Sequence, residues 1–199
     1  MMLDDDDVFL VTVPGWGNSG PQHWQSYWEV LYPLARRVEQ DNWLYPSRAE
    51  WVARLAATVD DCAGKVVLAA HSLGCHTVVA WLAQASLQQQ RKVLGVLLVA
   101  PPALPITPEQ ALASGELPQG AALPDFAGFE QALALQLPVP VRLVASRDDL
   151  FCGWAEAEAM ATGWGAKLLD AGNAGHMGSS SGLGDWKAGQ KLIQQLMLG

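Results

Sequence analysis

The segment Ala70-His71-Ser72-Leu73-Gly74 stands between an apolar run, Lys65 to Ala70, and a nearly all-apolar stretch of helical length, Leu73 to Ala83. It fits the G-x-S-x-G turn, in which a strand breaks sharply into a helix and lifts a serine hydroxyl clear of the backbone, with Ala70 in place of the first glycine. Residues flanking the serine have to be small because strand and helix pass close together there, and alanine meets that need. A serine hydroxyl becomes a nucleophile only when a base takes its proton. The N–H of Leu73, at the positive end of the helix, is placed to donate to the oxyanion that such an attack creates.

The chain has four histidines from which to draw the base. His176 lies in Gly172-Asn173-Ala174-Gly175-His176-Met177-Gly178, a glycine-rich loop after a strand-like segment. A parallel sheet would carry it to the same carboxyl edge as Ser72. His23, His71 and His76 fall in or beside helical segments, where packing or hydrogen bonding is the simpler expectation. The base needs a carboxylate to fix its tautomer and stabilise the imidazolium. Ser146-Arg147-Asp148-Asp149, after another strand, offers two. Adjacent aspartates cannot both face one imidazole, and spacing does not choose between them. Upstream, Pro14-Gly15-Trp16-Gly17-Asn18-Ser19-Gly20 ends the first strand at the same edge, and its Trp16 N–H is the candidate second oxyanion donor.

That turn is also formally a G-x-G-x-x-G, with Glu39 near the place of a ribose-binding acid. Two residues argue against a dinucleotide site. Trp16 is bulky where the backbone should approach a pyrophosphate, and Pro21 delays the helix until after the third glycine. Cys62, Cys75 and Cys152 are odd in number and lack C-x-x-C spacing, so buried thiols in a reducing compartment are expected. The chemistry outlined requires no metal and no organic cofactor.

These residues need a scaffold, and the remaining pattern supplies one. The chain of 199 residues suits one domain spanning 1–199, and 50% hydrophobic against 16% charged residues suits a folded core. Strand-like runs at Val8–Val13, Arg36–Gln40 (weak), Lys65–Ala70, Val93–Ala100, Val139–Ala145 and Ala166–Asp170 alternate with helical ones. That alternation marks a parallel sheet of about six strands covered on both faces, an α/β fold. Helices are expected over Pro21–Leu31, from Ser47 onward and over Gly182–Leu198; Ser47 and Glu50 form a capping box for the second. Between Pro101 and Pro138 the pattern loosens, with short helices expected around Glu109–Ser114 and Phe126–Leu135; this excursion is long enough to roof a pocket.

A net charge of −8 disfavours nucleic acid and anionic membrane surfaces as partners. Four aspartates stand at Asp4 to Asp7, where a secretory leader would carry basic residues, so a cytoplasmic protein is expected. Nine tryptophans are mostly expected in packing, although patches of them on the surface would suit a homodimer.

Taken in order, Val13-Pro14-Gly15-Trp16-Gly17-Asn18-Ser19-Gly20 with His23-Trp24, then Ala70-His71-Ser72-Leu73-Gly74, Ser146-Arg147-Asp148-Asp149 and Gly175-His176 resemble the small serine hydrolases of the retinoblastoma-binding protein 9 and YdeN type. These form a compact branch of the α/β-hydrolase superfamily. The resemblance runs along nearly the whole chain. It implies strand order 2-1-3-4-5-6, little or no lid domain, and Asp149 rather than Asp148 as the acid. Leu150-Phe151-Cys152 follows the acid where relatives often have proline.

The function expected is hydrolysis of small or medium carboxylic esters, thioesters or amides by Ser72, His176 and Asp149 through an acyl-enzyme, with Trp16 and Leu73 N–H groups as oxyanion hole. Gly15, His71, Trp154 and Met177 are expected to line the substrate pocket. The alternative is a non-catalytic interaction protein on a hydrolase scaffold, and after it a dinucleotide-binding protein.

Overall fold

A computed structural model describes residues 7–130 and 135–199. Six strands form one parallel sheet: β1 (Val8–Val13), β2 (Ala35–Arg37), β3 (Lys65–His71), β4 (Val93–Val99), β5 (Val141–Ala145) and β6 (Lys167–Asp170), in the order β2-β1-β3-β4-β5-β6. This is the order expected of the α/β-hydrolase fold. β3 and β4, at the centre, are buried along nearly their whole length. Strands shielded on both faces have no polar side to show, which is why they read as Val- and Leu-rich runs rather than as alternating ones.

Helices α1 (Trp24–Leu31), α2 (Arg48–Asp61), α3 (Leu73–Leu82), α4 (Leu87–Lys92), α5 (Pro108–Ala113), α6 (Trp154–Trp164) and α7 (Lys187–Leu198) complete the described elements, with a 3-10 turn at Ser179–Ser181. Alternate residues of each strand serve two cores. On one face Val11, Leu68, Leu98 and Leu143 pack with Leu55 of α2, Val78 of α3 and Met160 of α6. On the other, Leu10, Val67, Leu97 and Val144 pack with Trp24 and Trp28 of α1 and Ile193 of α7. A smaller cluster gathers Trp16, Trp51, Leu73, Phe126 and Phe129 under the loosely patterned excursion. Truncating a central leucine such as Leu68 to alanine should cost about 2–5 kcal/mol by lost transfer energy and the cavity left behind.

Several expected elements shift. α1 begins at Trp24 rather than Pro21, because His23 is its N-cap and accepts from the Gln25 N–H. The last helix starts at Lys187, not Gly182. Gly182, Gly184 and Trp186 have positive φ, and Trp186 lies flat on Trp28 with ring centroids 5.7 Å apart. Over 126–130 the chain turns at Ala127–Gly128 instead of forming a helix; the rest of the helix expected to Leu135 falls largely on residues outside those described. α4 and α6 add to the helices read from sequence. Six of the nine tryptophans, Trp16, Trp24, Trp28, Trp51, Trp81 and Trp164, are buried, in line with the packing role expected of most of them. Among the described residues no helix is long and apolar enough to cross a membrane.

Candidate active site

β3 ends in His71, and the next residue, Ser72, has φ 53° and ψ −127°, a strained conformation that turns the chain directly into α3. The turn is possible because of two glycines. A Cβ on Gly74 would lie 2.3 Å from the Val13 carbonyl oxygen, and one on Gly15 would lie 2.8 Å from both the His71 carbonyl oxygen and Ser72 Cβ. Ser72 occupies the N-cap of α3 but makes no side-chain cap. Its hydroxyl is therefore left for another partner.

That partner is His176, whose Nε2 lies 2.7 Å from Ser72 Oγ. The other ring nitrogen, Nδ1, lies 2.8 and 2.9 Å from the two carboxylate oxygens of Asp149. The Asp149 side chain is 2% exposed and that of His176 21%, so the pair is dry at its base and open at the serine end. An Nδ1–H donated to Asp149 leaves Nε2 with a lone pair for the serine proton, the tautomer that general-base attack needs.

The structure separates the two aspartates left open by spacing. Asp148 Oδ1 accepts from Ser146 Oγ at 2.7 Å and from the Gly175 N–H at 2.8 Å, fastening the histidine loop to the end of β5. These donors, Ser146 first, hold its carboxyl below the usual aspartate range. Asp149 is the one turned to the imidazole.

A second histidine network stands behind the first. The Gln25 N–H donates to His23 Nδ1 at 3.1 Å, which leaves His23 Nε2 protonated and donating to His71 Nδ1 at 3.2 Å. His71 Nε2 then donates to the backbone carbonyl of His176 at 2.8 Å. Burial, with the nearby Arg37 and His176 charges adding to it, pulls the His23 pKa down to about 3. Burial also pushes that of His71 well below the ordinary value, aided by His23 and His176. Both rings are thus neutral at pH 7, the state in which this donor chain is complete.

A cleft of about 400 Å³ opens over Ser72 and His176. Trp16, Ile106, Glu116, Leu150 and Phe151 form part of its wall, and His23 and His71 border it as well. The Trp16 indole is fixed by donating to the Leu44 carbonyl at 2.8 Å and by an edge-on contact with Phe126. The backbone N–H groups of Trp16 and Leu73 have no acceptor among the described residues. Gly15 brings their two segments together, since its Cβ position would lie 3.0 Å from Leu73 N. Gly15 itself packs beneath the cleft against Ser72 rather than lining it.

Two more of the residues expected at the pocket lie elsewhere. Trp154 begins α6, donates to Glu158 at 2.8 Å and carries the Arg147 guanidinium 3.6 Å above its ring. Met177 is 1% exposed in the core beside α1, because a φ of 54° turns it away from its neighbour His176; its carbonyl accepts from Trp24 Nε1. Sequence reasoning missed Glu116, Asn18 and Ser179 in the cleft wall. Asn18 lies in the glycine-rich turn and Glu116 in the excursion read from sequence, but turns without periodicity single out no one side chain. The G-x-G-x-x-G turn aims no helix N-terminus at a phosphate, since α1 starts only at Trp24 and the first glycine is packed against the serine turn.

A family model described as serine hydrolase matches residues 10–195. Among solved structures, a YdeN-like hydrolase from Pectobacterium atrosepticum is 27% identical with a TM-score of 0.76, covering 96% of this chain and 91% of that one. The ydeN gene product of B. subtilis is 16% identical with a TM-score of 0.70, covering 97% of this chain and 100% of that one. A thermophilic esterase from Thermogutta terrifontis has the same fold, at 16% identity and a TM-score of 0.63, covering 96% of this chain and 91% of that one. No curated protein matches the chain significantly.

Proposed function

The chain belongs to the serine hydrolase family, and from that premise we propose that it cleaves small or medium carboxylic esters through a Ser72–His176–Asp149 triad. The observation that carries this reading is the position of His176, within hydrogen-bond distance of Ser72 Oγ on one side and of both Asp149 oxygens on the other.

In the first half-reaction His176 Nε2 takes the proton of Ser72 as Oγ bonds to the ester carbonyl carbon. Negative charge moves to the carbonyl oxygen, and the Leu73 and Trp16 N–H groups receive it. Asp149 stabilises the imidazolium without taking its proton. The tetrahedral intermediate collapses, the imidazolium protonates the departing alkoxide, and an acyl group remains on Ser72. Water, deprotonated by His176, then releases the acid and restores the hydroxyl. Thioesters and activated amides would follow the same route, since only the leaving atom changes. The substrate is a small molecule: the apolar part of the wall, Trp16, Ile106, Leu150 and Phe151, fits a short to medium acyl or alcohol group.

The test is a panel of p-nitrophenyl esters and thioesters of graded chain length, run on the wild type and on Ser72→Ala. Turnover should peak at short or medium chains and vanish in Ser72→Ala. Equal turnover by the two proteins would remove the serine from the mechanism.

A further inference from the structure

Three carboxylates stand around the cleft, and two are already committed. Asp149 holds His176 and also accepts from the Phe151 N–H at 2.9 Å. Asp148 holds Ser146 and Gly175. Glu116 is different. It comes from the turn after α5, its backbone N–H is fixed by Ser114 Oγ at 3.1 Å, and its carboxylate has no hydrogen-bond or ion-pair partner among the described residues. It nevertheless lines the same cleft as Ser72 and His176.

Its place in the wall is set by Gly17, which has φ 78°. A Cβ there would fall 2.1 Å from Glu116 Oε2, so the carboxylate occupies the space left by the missing side chain. Glu116 therefore rests on the loop that carries Trp16, on the side of the cleft where the oxyanion would form. No lysine or arginine lines the cleft among the described residues. An anionic substrate would meet uncompensated negative charge there, whereas a cationic one would find an ion partner that the protein leaves unpaired. Glu116 is exposed at the cleft; what shielding its neighbours impose raises its pKa, while the nearby His176 works in the opposite direction. An arriving ammonium would relieve that cost by supplying the missing countercharge.

We propose that Glu116 is a specificity-determining residue that selects esters carrying a positively charged amine or quaternary ammonium group and rejects those carrying a carboxylate. This inference rests on the hydrolase reading above and adds the substrate's charge to it.

The experiment compares p-nitrophenyl esters of matched length ending in trimethylammonium, tert-butyl or carboxylate, each rate being divided by the ester's own hydroxide-catalysed rate. A parallel arm sets acetylthiocholine against its tert-butyl carbon isostere, so that a cation on the leaving side is distinguished from one on the acyl side. In at least one arm the wild type should favour the cationic ester over its neutral isostere by about fivefold in kcat/KM, the upper range for a solvent-accessible ion pair. The carboxylate ester should be the poorest substrate. In Glu116→Gln the cation-to-neutral ratio should fall close to one, and added salt should narrow it in the wild type only. A ratio near one in both arms of the wild type, or an unchanged ratio in Glu116→Gln, overturns the inference while leaving the hydrolase reading intact. Absence of any Ser72-dependent turnover overturns both.

Discussion

His176 borders the open cleft above Ser72, and His76, in α3, borders a second cavity of about 280 Å³ against α6. The first ring is held between a carboxylate and a hydroxyl and is partly exposed. The second donates Nε2–H to the Pro102 carbonyl at 2.8 Å, while its Nδ1 is buried with no partner among the described residues. Burial lowers the His76 pKa to about 4, more than its backbone hydrogen bond and Glu130 oppose. Among the described residues His76 thus makes no hydrogen bond to a hydroxyl or to a carboxylate, although Glu130 and Glu156 border the same cavity. What sets His176 apart is its place at the carboxyl edge of the sheet, where loops from different strands converge on it.

Substitutions that break this contrast should show it in order of size. Ser72→Ala or His176→Ala should lower kcat on a p-nitrophenyl ester by about 10⁶, whereas His76→Leu should leave kcat within about twofold. Steady-state kinetics on the three variants checks both. A large loss in His76→Leu with the fold intact by circular dichroism would erase the distinction between the two cavities.

The aspartates sharpen it further. Asp149→Asn should cost about 10⁴ in kcat by favouring the wrong imidazole tautomer. Asp148→Asn loosens a loop without touching the ring, so a loss of no more than about tenfold is expected, the worth of roughly one hydrogen bond. Reversal of that order would put Asp148 in the triad.

In the mechanism proposed above, His71 would act as a positioning residue through its hydrogen bond to the His176 carbonyl. His71→Leu removes the donor to that carbonyl and should lower kcat by about tenfold with KM nearly unchanged. His71→Gln, whose amide can donate to the same oxygen, should recover part of the loss. Equal kcat for both variants would show that the hydrogen bond carries nothing.

A last contrast lies in stability against pH. His23, His71 and His76 are neutral when folded and take up protons near pH 6.5 when unfolded. The unfolded state therefore binds more protons below pH 6.5, and stability should fall as pH drops from there toward about 4 for His76 and about 3 for His23. Each group contributes up to about 1.4 kcal/mol per pH unit in its window. Urea titrations across this range should show a shallower slope in His76→Leu than in wild type. A slope that is unchanged would mean that His76 is charged in the folded protein.

The strands were legible in the sequence because burial on both faces leaves an uninterrupted apolar run, as in Val93–Val99. Ser72, Asp149 and His176 were legible because each follows such a run or its loop, and a parallel sheet delivers those ends to one edge. Neighbourhood in sequence misled where a single torsion decides direction. Met177 follows His176 but turns into the core, and Trp154, close to Asp149 in sequence, starts a helix and faces Arg147 and Glu158. α6 is rich in alanine and glutamate with few strongly apolar positions, so it offered little periodicity to read. The bond between His23 and His71, 48 residues apart, has no local signature at all.

The proposed mechanism requires that His176 activate Ser72 in the folded protein. Treating native protein with a fluorophosphonate and mapping the labelled peptide by mass spectrometry tests it most directly. One adduct is expected, on Ser72, which forms in the wild type and is lost in His176→Ala. An unlabelled Ser72 in folded wild-type protein, or equal labelling in His176→Ala, would contradict it.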